Sequence, residues 1–544
     1  MASGDLRTDV LRWIDDDPDP VDRAELRRLL DDWPRSTPEL TERFAAPLAF
    51  GTAGLRGVLR AGPNGMNLAV VTAAASGLVR WLAERDAVGP LVIGYDARRG
   101  SRAFAERTAA VATGAGRPAM VLPRPLPTPV LAYAVRSLGA AAGVMVTASH
   151  NPAADNGYKV YLGPLGGRWG VGAQIASPVD AEISAAIATV GPLARVPLGG
   201  PGETLGDEVV ASYLAAAAAL LSPGPRSLRT VYTPLHGVGR EVFDAAFARA
   251  GFDPPTVVAS QARPDPTFPT VAFPNPEEPG AMDRLLDLAR ETDADLAVAN
   301  DPDADRCAVA VPDGGRWRTL HGDELGVLLA DHLMRSGARG VYATTIVSSS
   351  MLAALCASRG EAHAATLTGF KWIVRAGDLA FGYEEALGYC VAPGVVRDKD
   401  GITAALLVAE LAARLRADGQ SVAGRLDALA VECGAHVTDQ LAARLPSPAA
   451  IAAAMAALRA APPRALAGAP VTAVEDLLPG ADVLIVRAAG RRVVFRPSGT
   501  EPKLKAYLEA VEPVAAGDVA GARARAGEAL ATMRAEFAGR LGGA

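Results

Sequence analysis

Lysine is almost missing from this chain. Of 54 basic residues only five are lysines: Lys159, Lys371, Lys399, Lys503 and Lys505. Arginine carries the remaining positive charge. A lysine that persists is therefore a candidate for a position needing a compact, titratable amine, although chance alone can leave a few. Cysteine is scarce too, and Cys307, Cys356, Cys390 and Cys433 lie far apart with no C-x-x-C pair. Such spacing gives no disulfide framework and fits free thiols in a reducing cytoplasm. No uncharged apolar run approaches the ~20 residues of a membrane span, so no membrane partner is expected. Met1 to Pro20 mixes Asp and Arg without an apolar core, so no secretory leader is expected and the location is read as cytoplasmic. A formal net charge of −6 argues against general nucleic-acid binding. Two motifs are absent as well. Without G-K-[ST] there is no P-loop, and without G-x-S-x-G there is no hydrolase-type nucleophile elbow.

What is present is a long chain, half of it hydrophobic. Its 544 residues exceed one core, and roughly three to four domains are expected. Residues 1–45 read as an extension of two short helices, on Leu6, Val10, Leu11 and Ile14 and then on Leu26, Leu29 and Leu30. Over 46–200 the apolar runs 91–95, 119–122 and 140–146 alternate with helical stretches. This βαβ rhythm predicts a parallel sheet covered by helices. The Gly/Pro-rich run 191–206 reads as a linker. A second α/β block, 201–311, holds candidate strands at 229–232 and 296–299. A third, 312–430, holds them at 340–347, 364–367 and 379–382. The tail, 431–544, reads as an Ala-rich helix followed by strands at 483–487 and 492–495.

The chemistry sits where these runs stop. The strand at 140–146 ends in Thr147-Ala148-Ser149-His150-Asn151-Pro152, and Lys159 follows ten positions after the serine. A hydroxyl beside an imidazole points to nucleophilic chemistry. Neighbours on an extended chain face opposite ways, however, so His150 is not expected to deprotonate Ser149 directly. A plain Ser/Asn turn would look the same. Upstream, Gly51-Thr52-Ala53-Gly54-Leu55-Arg56-Gly57 sets Arg56 amid three glycines, in a loop that suits an anion or an ordinary turn. After 296–299 comes Asn300-Asp301-Pro302-Asp303-Ala304-Asp305-Arg306. Three carboxylates at alternate positions repel one another and are costly behind a buried strand unless a cation joins them. Oxygen-only ligands select a hard ion, and Mg²⁺ is expected at this carboxyl end of a strand; a solvated acidic turn is the alternative.

Two further loops are polar. Tyr383-Glu384-Glu385-Ala386-Leu387-Gly388-Tyr389 offers carboxylates to sugar hydroxyls or to solvent, and Arg397-Asp398-Lys399-Asp400-Gly401 opens the next helix. Arg496-Pro497-Ser498-Gly499-Thr500-Glu501-Pro502-Lys503 combines a guanidinium, two hydroxyls and Gly-permitted amides. That is a phosphate cradle, or else a Pro/Gly turn. A nucleophile, a hard-metal site, a polar loop and a phosphate loop fit phosphoryl transfer better than a hydrolase triad.

The glycine, serine, aspartate, glutamate and Arg496 motifs, in this order, resemble the α-D-phosphohexomutase superfamily, the phosphoglucomutase/phosphomannomutase enzymes. The resemblance runs from about Phe50 to the C-terminus. With Thr368-Gly369-Phe370-Lys371-Trp372 it looks most like the branch of bacterial phosphoglucomutases and mammalian phosphopentomutase-type enzymes. It implies an α/β fold: three related α/β domains with mixed, largely parallel sheets and a smaller C-terminal α+β domain around a central cleft. It implies that Ser149 carries a phosphoryl group and that one Mg²⁺ per chain lies between it and Asp301, Asp303 and Asp305. A sugar bisphosphate would reorient between two transfers, so that phosphate moves between C1 and C6.

By the same matching Arg56, His150, Lys159, Arg306 and Lys399 surround the transfer site. Lys159 and Lys399 are the candidate acid/bases, with His150 the alternative. A lysine in that role needs its pKa depressed by burial and neighbouring cations. Glu384 would bind sugar hydroxyls, while Arg496, Ser498, Gly499 and Thr500, with Lys503 near, would grip the phosphate that is not reacting. The resemblance thus implies a phosphohexomutase for glucose and/or mannose phosphates, with a glucose 1,6-bisphosphate-type activator, sugar phosphates as partners, and a monomer or weak homodimer. A phosphopentomutase, a sugar-1,6-bisphosphate synthase and a non-catalytic sugar-phosphate-binding scaffold are the alternatives. Ala386 stands where the superfamily commonly has Ser, which leaves the choice of sugar open.

Overall fold

In the computed structural model, residues 3–51, 54–498 and 503–542 are described. The chain forms two compact units, one of Met1–Leu320 with Ala386–Ala417, the other of His321–Glu385 with Asp418–Ala544.

The first unit opens on three helices, Ser3–Asp16, Pro20–Asp31 and Thr37–Arg43, where the apolar spacing predicts two. The third begins at Thr37-Pro38, a helix-start signal in a stretch too short to show periodicity. Leu6, Val10, Ile14, Leu26, Leu30 and Leu40 close a small core of their own around Ala61.

The first α/β block contains β1 (Leu55–Val58), β2 (Leu91–Tyr95), β3 (Ala119–Val121), β4 (Ala142–Val146), β5 (Asp155–Leu162) and β6 (Glu203–Thr204), in sheet order β1-β5-β4-β2-β3-β6. β2 and β4 are parallel neighbours buried along their whole length, as unbroken apolar runs require. The sheet is mixed rather than parallel. β5 turns back antiparallel on β4 through the serine stretch, and β1 adds antiparallel to β5. The registers pair Met145 with Lys159 and Arg56 with Gly157, which brings Arg56 and Lys159 towards the end of β4 where the serine turn begins. Gly54 has φ +88, and a Cβ there would overlap the Tyr158 carbonyl, so glycine is needed for β1 to approach. The run at 191–206 is not a free linker. It adds β6 at the sheet edge beside β3 and lays Gly199 against the end of helix Ser101–Gly114.

The second block holds β7 (Thr230–Thr233), β8 (Thr256–Val257), β9 (Leu296–Ala299), β10 (Ala308–Asp313) and β11 (Arg316–Thr319), ordered β11-β10-β9-β7-β8. β7, β8 and β9 run parallel, and β10 returns antiparallel on β9 after the aspartate loop. A later segment of the chain completes this unit. β12 (Val341–Thr345), β13 (Ala362–Thr366) and β14 (Leu379–Glu384) belong to the second unit, after which β15 (Gly388–Cys390) and helix Gly401–Ala417 return to the first. That helix lies against β9 and against helix Gly239–Arg249.

In the second unit β12 is flanked by β13 and β14, both parallel to it. Beyond helix Val422–Cys433 come β16 (Ala435–Arg444), β17 (Ala465–Leu466), β18 (Ala469–Asp476), β19 (Leu484–Ala488), β20 (Arg491–Pro497) and β21 (Lys503–Glu512). Their order is β16-β21-β20-β19-β18-β17, with antiparallel pairing throughout. Helices Pro448–Ala460 and Val519–Gly542 pack their apolar sides on this sheet. Only β19, β20 and the Ala-rich helix stand out in the sequence. Much of β16 and β18 faces solvent, and alanine supplies many of their apolar positions, so the alternation is faint.

Cys307, Cys356 and Cys390 are buried, Cys433 is half-buried, and none is in a disulfide. Among the described residues no helix is long and apolar enough to cross a membrane.

Candidate active site

β4 delivers the chain into a left-handed residue. Ser149 has φ +53, a conformation that costs a non-glycine residue on the order of 1 kcal/mol or more, and it is 1% exposed. Because the backbone turns here, the expected alternation of side chains does not hold. His150 Nδ1 lies 3.2 Å from Ser149 Oγ, so the imidazole reaches the hydroxyl after all. Ser149 Oγ also donates to Asp301 Oδ2 at 2.7 Å.

Asp301, Asp303 and Asp305 are all fully buried, and each offers a carboxylate oxygen within 4.8 Å of the others. Lys159 Nζ sits 2.7 Å from Asp303 Oδ2 and 2.8 Å from Asp305 Oδ2. Lys399 Nζ lies 3.5 Å from Asp305 Oδ2. The other oxygens of Asp303 and Asp305, their Oδ1 atoms, are buried without a hydrogen-bond partner. Two orphaned carboxylate oxygens, Asp301 and a serine hydroxyl form an all-oxygen donor set, the chemistry a hard divalent cation takes. The residues present fit Mg²⁺.

The loop is held from several sides. Arg306 N–H donates to Asp301 Oδ1 at 3.0 Å, and Thr128 Oγ1 donates to Asp303 Oδ2 at 2.6 Å. The Thr233–Gly239 turn after β7 packs beneath it, with Val238 N–H on the Pro302 carbonyl at 2.8 Å. Gly401, first residue of its helix, sits so close to Arg306 that a Cβ would overlap the Arg306 carbonyl. Asp398 and Asp400 flank Lys399. The first accepts from Tyr161 and Gln174 at 2.8 and 2.7 Å, the second from Tyr213 at 2.9 Å. Arg56 Nη1 donates to Asn151 Oδ1 at 3.1 Å.

Charge follows from burial. Burial and the neighbouring Asp303 and Asp305 push the Asp301 carboxyl well above its ordinary range. Burial works against ionisation of Asp303 too, yet Lys159 beside it holds it well below that range. His150 is pushed down by burial and by Arg306 and Arg56, so it is neutral near pH 7. For Lys159, burial favours the neutral amine, but Asp303 and Asp305 outweigh it and raise the pKa. At Lys159 the depressed pKa expected for an acid/base is therefore not found. Two carboxylates at hydrogen-bonding distance keep the ammonium charged.

Asp96, Arg98 and Thr128 carry this geometry without standing out as motifs. Asp96-Ala97-Arg98 follows the buried strand β2 directly, the same signal that singles out Asp301. Thr128 gives no such signal, being a helix-start threonine like many others.

Of the loops expected to take sugar and phosphate, residues 383–385 and the Arg496 turn lie in the second unit. Glu385, pushed up by burial, accepts from Ser348 Oγ at 2.9 Å and Thr345 Oγ1 at 3.1 Å, so it ties its own loop down. Glu384 is partly exposed beside it. Arg496 Nη1 reaches the Tyr507 hydroxyl at 3.4 Å, and Ser498 N–H bonds the Lys503 carbonyl at 2.8 Å, closing the turn between β20 and β21. Gly499 and Thr500, like Thr52 and Ala53, lie outside the described residues. Ala386 has no hydroxyl to offer, and its carbonyl accepts from Arg306 at 2.6 Å.

Parallel-cored α/β blocks, a separate antiparallel domain and a buried acidic triplet able to hold a metal define a multi-domain α/β enzyme. Comparison with known proteins gives its family. The models for phosphoglucomutase/phosphomannomutase α/β/α domains I, II and III match residues 47–192, 211–315 and 321–431, and that for the C-terminal domain matches 441–526. A “Probable phosphomannomutase” of Haemophilus influenzae is 46% identical, over 82% of this chain and 93% of its own. The phosphopentomutase of Homo sapiens is 32% identical, over 98% of this chain and 96% of its own. A solved structure of a candidate phosphomannomutase from Thermus thermophilus superposes with TM-score 0.70 at 29% identity, covering 89% of this chain and 99% of that one. The chain belongs to the phosphoglucomutase/phosphomannomutase family, and it is an isomerase of the phosphotransferring kind.

Proposed function

We propose that this chain is a phosphohexomutase interconverting the 1- and 6-phosphates of glucose and/or mannose, through phosphoserine at Ser149 and a sugar bisphosphate. The observation that carries the reading is the buried Ser149 hydroxyl bonded to Asp301, within an acidic triplet in which Asp303 Oδ1 and Asp305 Oδ1 are orphaned. Identity of 46% to the “Probable phosphomannomutase” of Haemophilus influenzae supports hexose over pentose.

Asp301, Asp303, Asp305 and Ser149 Oγ would hold Mg²⁺, which when bound supplies electrophilic stabilisation of phosphoryl oxygens. The chain's own groups do the rest. Neutral His150 takes the proton from Ser149 Oγ as that oxygen attacks phosphorus, while Lys159, kept charged by Asp303 and Asp305, adds fixed positive charge beside the transfer site. Arg56 and Arg306 supply fixed positive charge where negative charge develops on the transferring group, and Lys399 holds Asp305 from the other side. In the second unit Arg496, Ser498 and Lys503, with Gly499 and Thr500, take the phosphate that is not reacting, and Glu384 takes sugar hydroxyls. A glucose 1,6-bisphosphate-type activator would load Ser149. On this reading the four domains would span 46–200, 201–311, 312–430 and 431–544 after the 1–45 extension, in a cytoplasmic monomer or weak dimer.

The test is kcat/KM on glucose 1-phosphate, mannose 1-phosphate and ribose 1-phosphate. At least one hexose phosphate should exceed ribose 1-phosphate tenfold. Turnover of the pentose alone would overturn the hexose assignment in favour of a phosphopentomutase, the reading that the near full-length human relative favours. Turnover of a sugar monophosphate only with a separate phosphoryl donor would indicate a bisphosphate synthase.

A further inference from the structure

We infer that Arg98, braced by Asp96 and Thr147, is a positioning residue that sets Ser149 Oγ in its reactive orientation. The inference rests on the reading of Ser149 as the phosphoryl carrier.

Ser149 lies in the left-handed region, where a serine stays only if its surroundings over-determine it. Here they do. Its N–H donates to Thr147 Oγ1 at 2.9 Å, and its carbonyl accepts from Arg98 Nη2 at 2.6 Å. The same Nη2 donates to the Asn151 carbonyl at 2.6 Å, while Nη1 serves the carbonyls of Pro152 at 2.8 Å and Asp155 at 3.2 Å. One guanidinium thus spans the turn from Ser149 to the start of β5. Asp96 fixes the far side of the brace. Its Oδ2 accepts from Thr147 Oγ1 at 2.6 Å and lies 3.4 Å from Arg98 Nε, and its Oδ1 accepts from Ser101 Oγ at 2.6 Å and Arg98 N–H at 3.0 Å. The Arg98 side chain is 2% exposed, and the Phe268 ring covers its guanidinium with 4.9 Å from Cζ to the ring centre.

Arg98 donates to backbone carbonyls of the turn, and this suits placement better than phosphate capture. Lysine cannot replace it, because a single ammonium cannot meet four carbonyls arranged around a planar fork. Removing the brace releases the turn towards ordinary backbone conformations and swings Oγ away from Asp301 and His150. A displacement of about 1 Å at a reacting atom costs on the order of 10²-fold in rate.

The experiment compares wild type, Arg98→Lys and the near-isosteric Thr147→Val. Both variants should keep the wild-type fold by circular dichroism, lose at least tenfold in kcat on the best sugar phosphate, and hold KM within about twofold. Independently of activity, hydrogen exchange should show the Ser149 amide exchanging at least tenfold faster in each. Wild-type kcat in both variants overturns the brace while leaving the mutase reading standing. An inactive wild type overturns the mutase reading, and the Ser149 amide then decides the brace alone: unchanged protection sinks it. Should Arg98→Lys fail to fold, Thr147→Val carries the same readouts.

Discussion

At the scale of single residues, the acidic triplet stores a conflict that Lys159 resolves only in part. Its ammonium pairs one oxygen each of Asp303 and Asp305 and leaves the other two orphaned. Asp303→Asn removes one buried partner of a charge 1% exposed, and breaking such a pair costs roughly 3–5 kcal/mol. The metal-free variant should therefore unfold at lower urea than wild type. Calorimetric titration with Mg²⁺ should show affinity lost at least tenfold. Unchanged affinity would remove Asp303 from the ligand set. The isolated protein is expected to show a phosphate-sized mass increment that Ser149→Ala abolishes, with turnover lowered by about 10⁴-fold or more. An increment that persists in this variant would place the phosphoryl group elsewhere.

At the scale of elements, the site depends on close backbone approach between segments far apart in sequence. Gly401 opens a helix whose first turn presses on the Arg306 carbonyl and the Asn300 side chain. Gly401→Ala should destabilise the protein by about 1–3 kcal/mol, since overpacking forces backbone to shift. It should also weaken Mg²⁺ binding, because the shifted backbone carries the aspartate loop. Urea denaturation with and without Mg²⁺ measures both effects.

Strand ends are the legible part of this protein. β2, β4 and β9 are unbroken apolar runs, and the structure brings together the polar residues directly after β4 and β9. What stays hidden in the sequence is of two kinds. β16 and β18 are half-exposed strands whose alternation alanine blurs. The Arg98 brace uses backbone carbonyls, which every residue has, so nothing in the acceptors marks it. The contact between His150 and Ser149 runs against the sequence expectation for a third reason: one positive φ reverses which way a side chain faces.

At the scale of the whole molecule, acid stability has an identifiable contributor in the second unit. Glu509 is buried, which alone would raise its pKa, but Arg492, His436 and Ser349 overcome this and bring it from 4.5 down to about 2. Its carboxylate accepts from Ser349 Oγ at 2.8 Å and Ser350 N–H at 2.6 Å, and pairs with Arg492 at 2.8 Å. A depressed carboxylate stabilises the fold fully above its unfolded pKa and loses that contribution as pH falls through the folded value. Glu509 therefore contributes about 3 kcal/mol above pH 4.5, lost by about pH 2. Glu509→Gln should lower stability at neutral pH and remove that slope. Urea denaturation from pH 7 to 2 checks it, and parallel curves for the two proteins would count against the assignment.

The first unit is interrupted: its last segment, Ala386–Ala417, is made only after the stretch His321–Glu385, which belongs to the other unit. Synthesis runs at ~5–20 residues per second, so the aspartate loop is polymerised roughly 5–20 seconds before Lys399 and Gly401 are. During that interval the three carboxylates have Lys159 but neither Lys399 nor the Gly401 helix against them. The nascent chain passes through a stage in which its most highly charged interior is still unroofed.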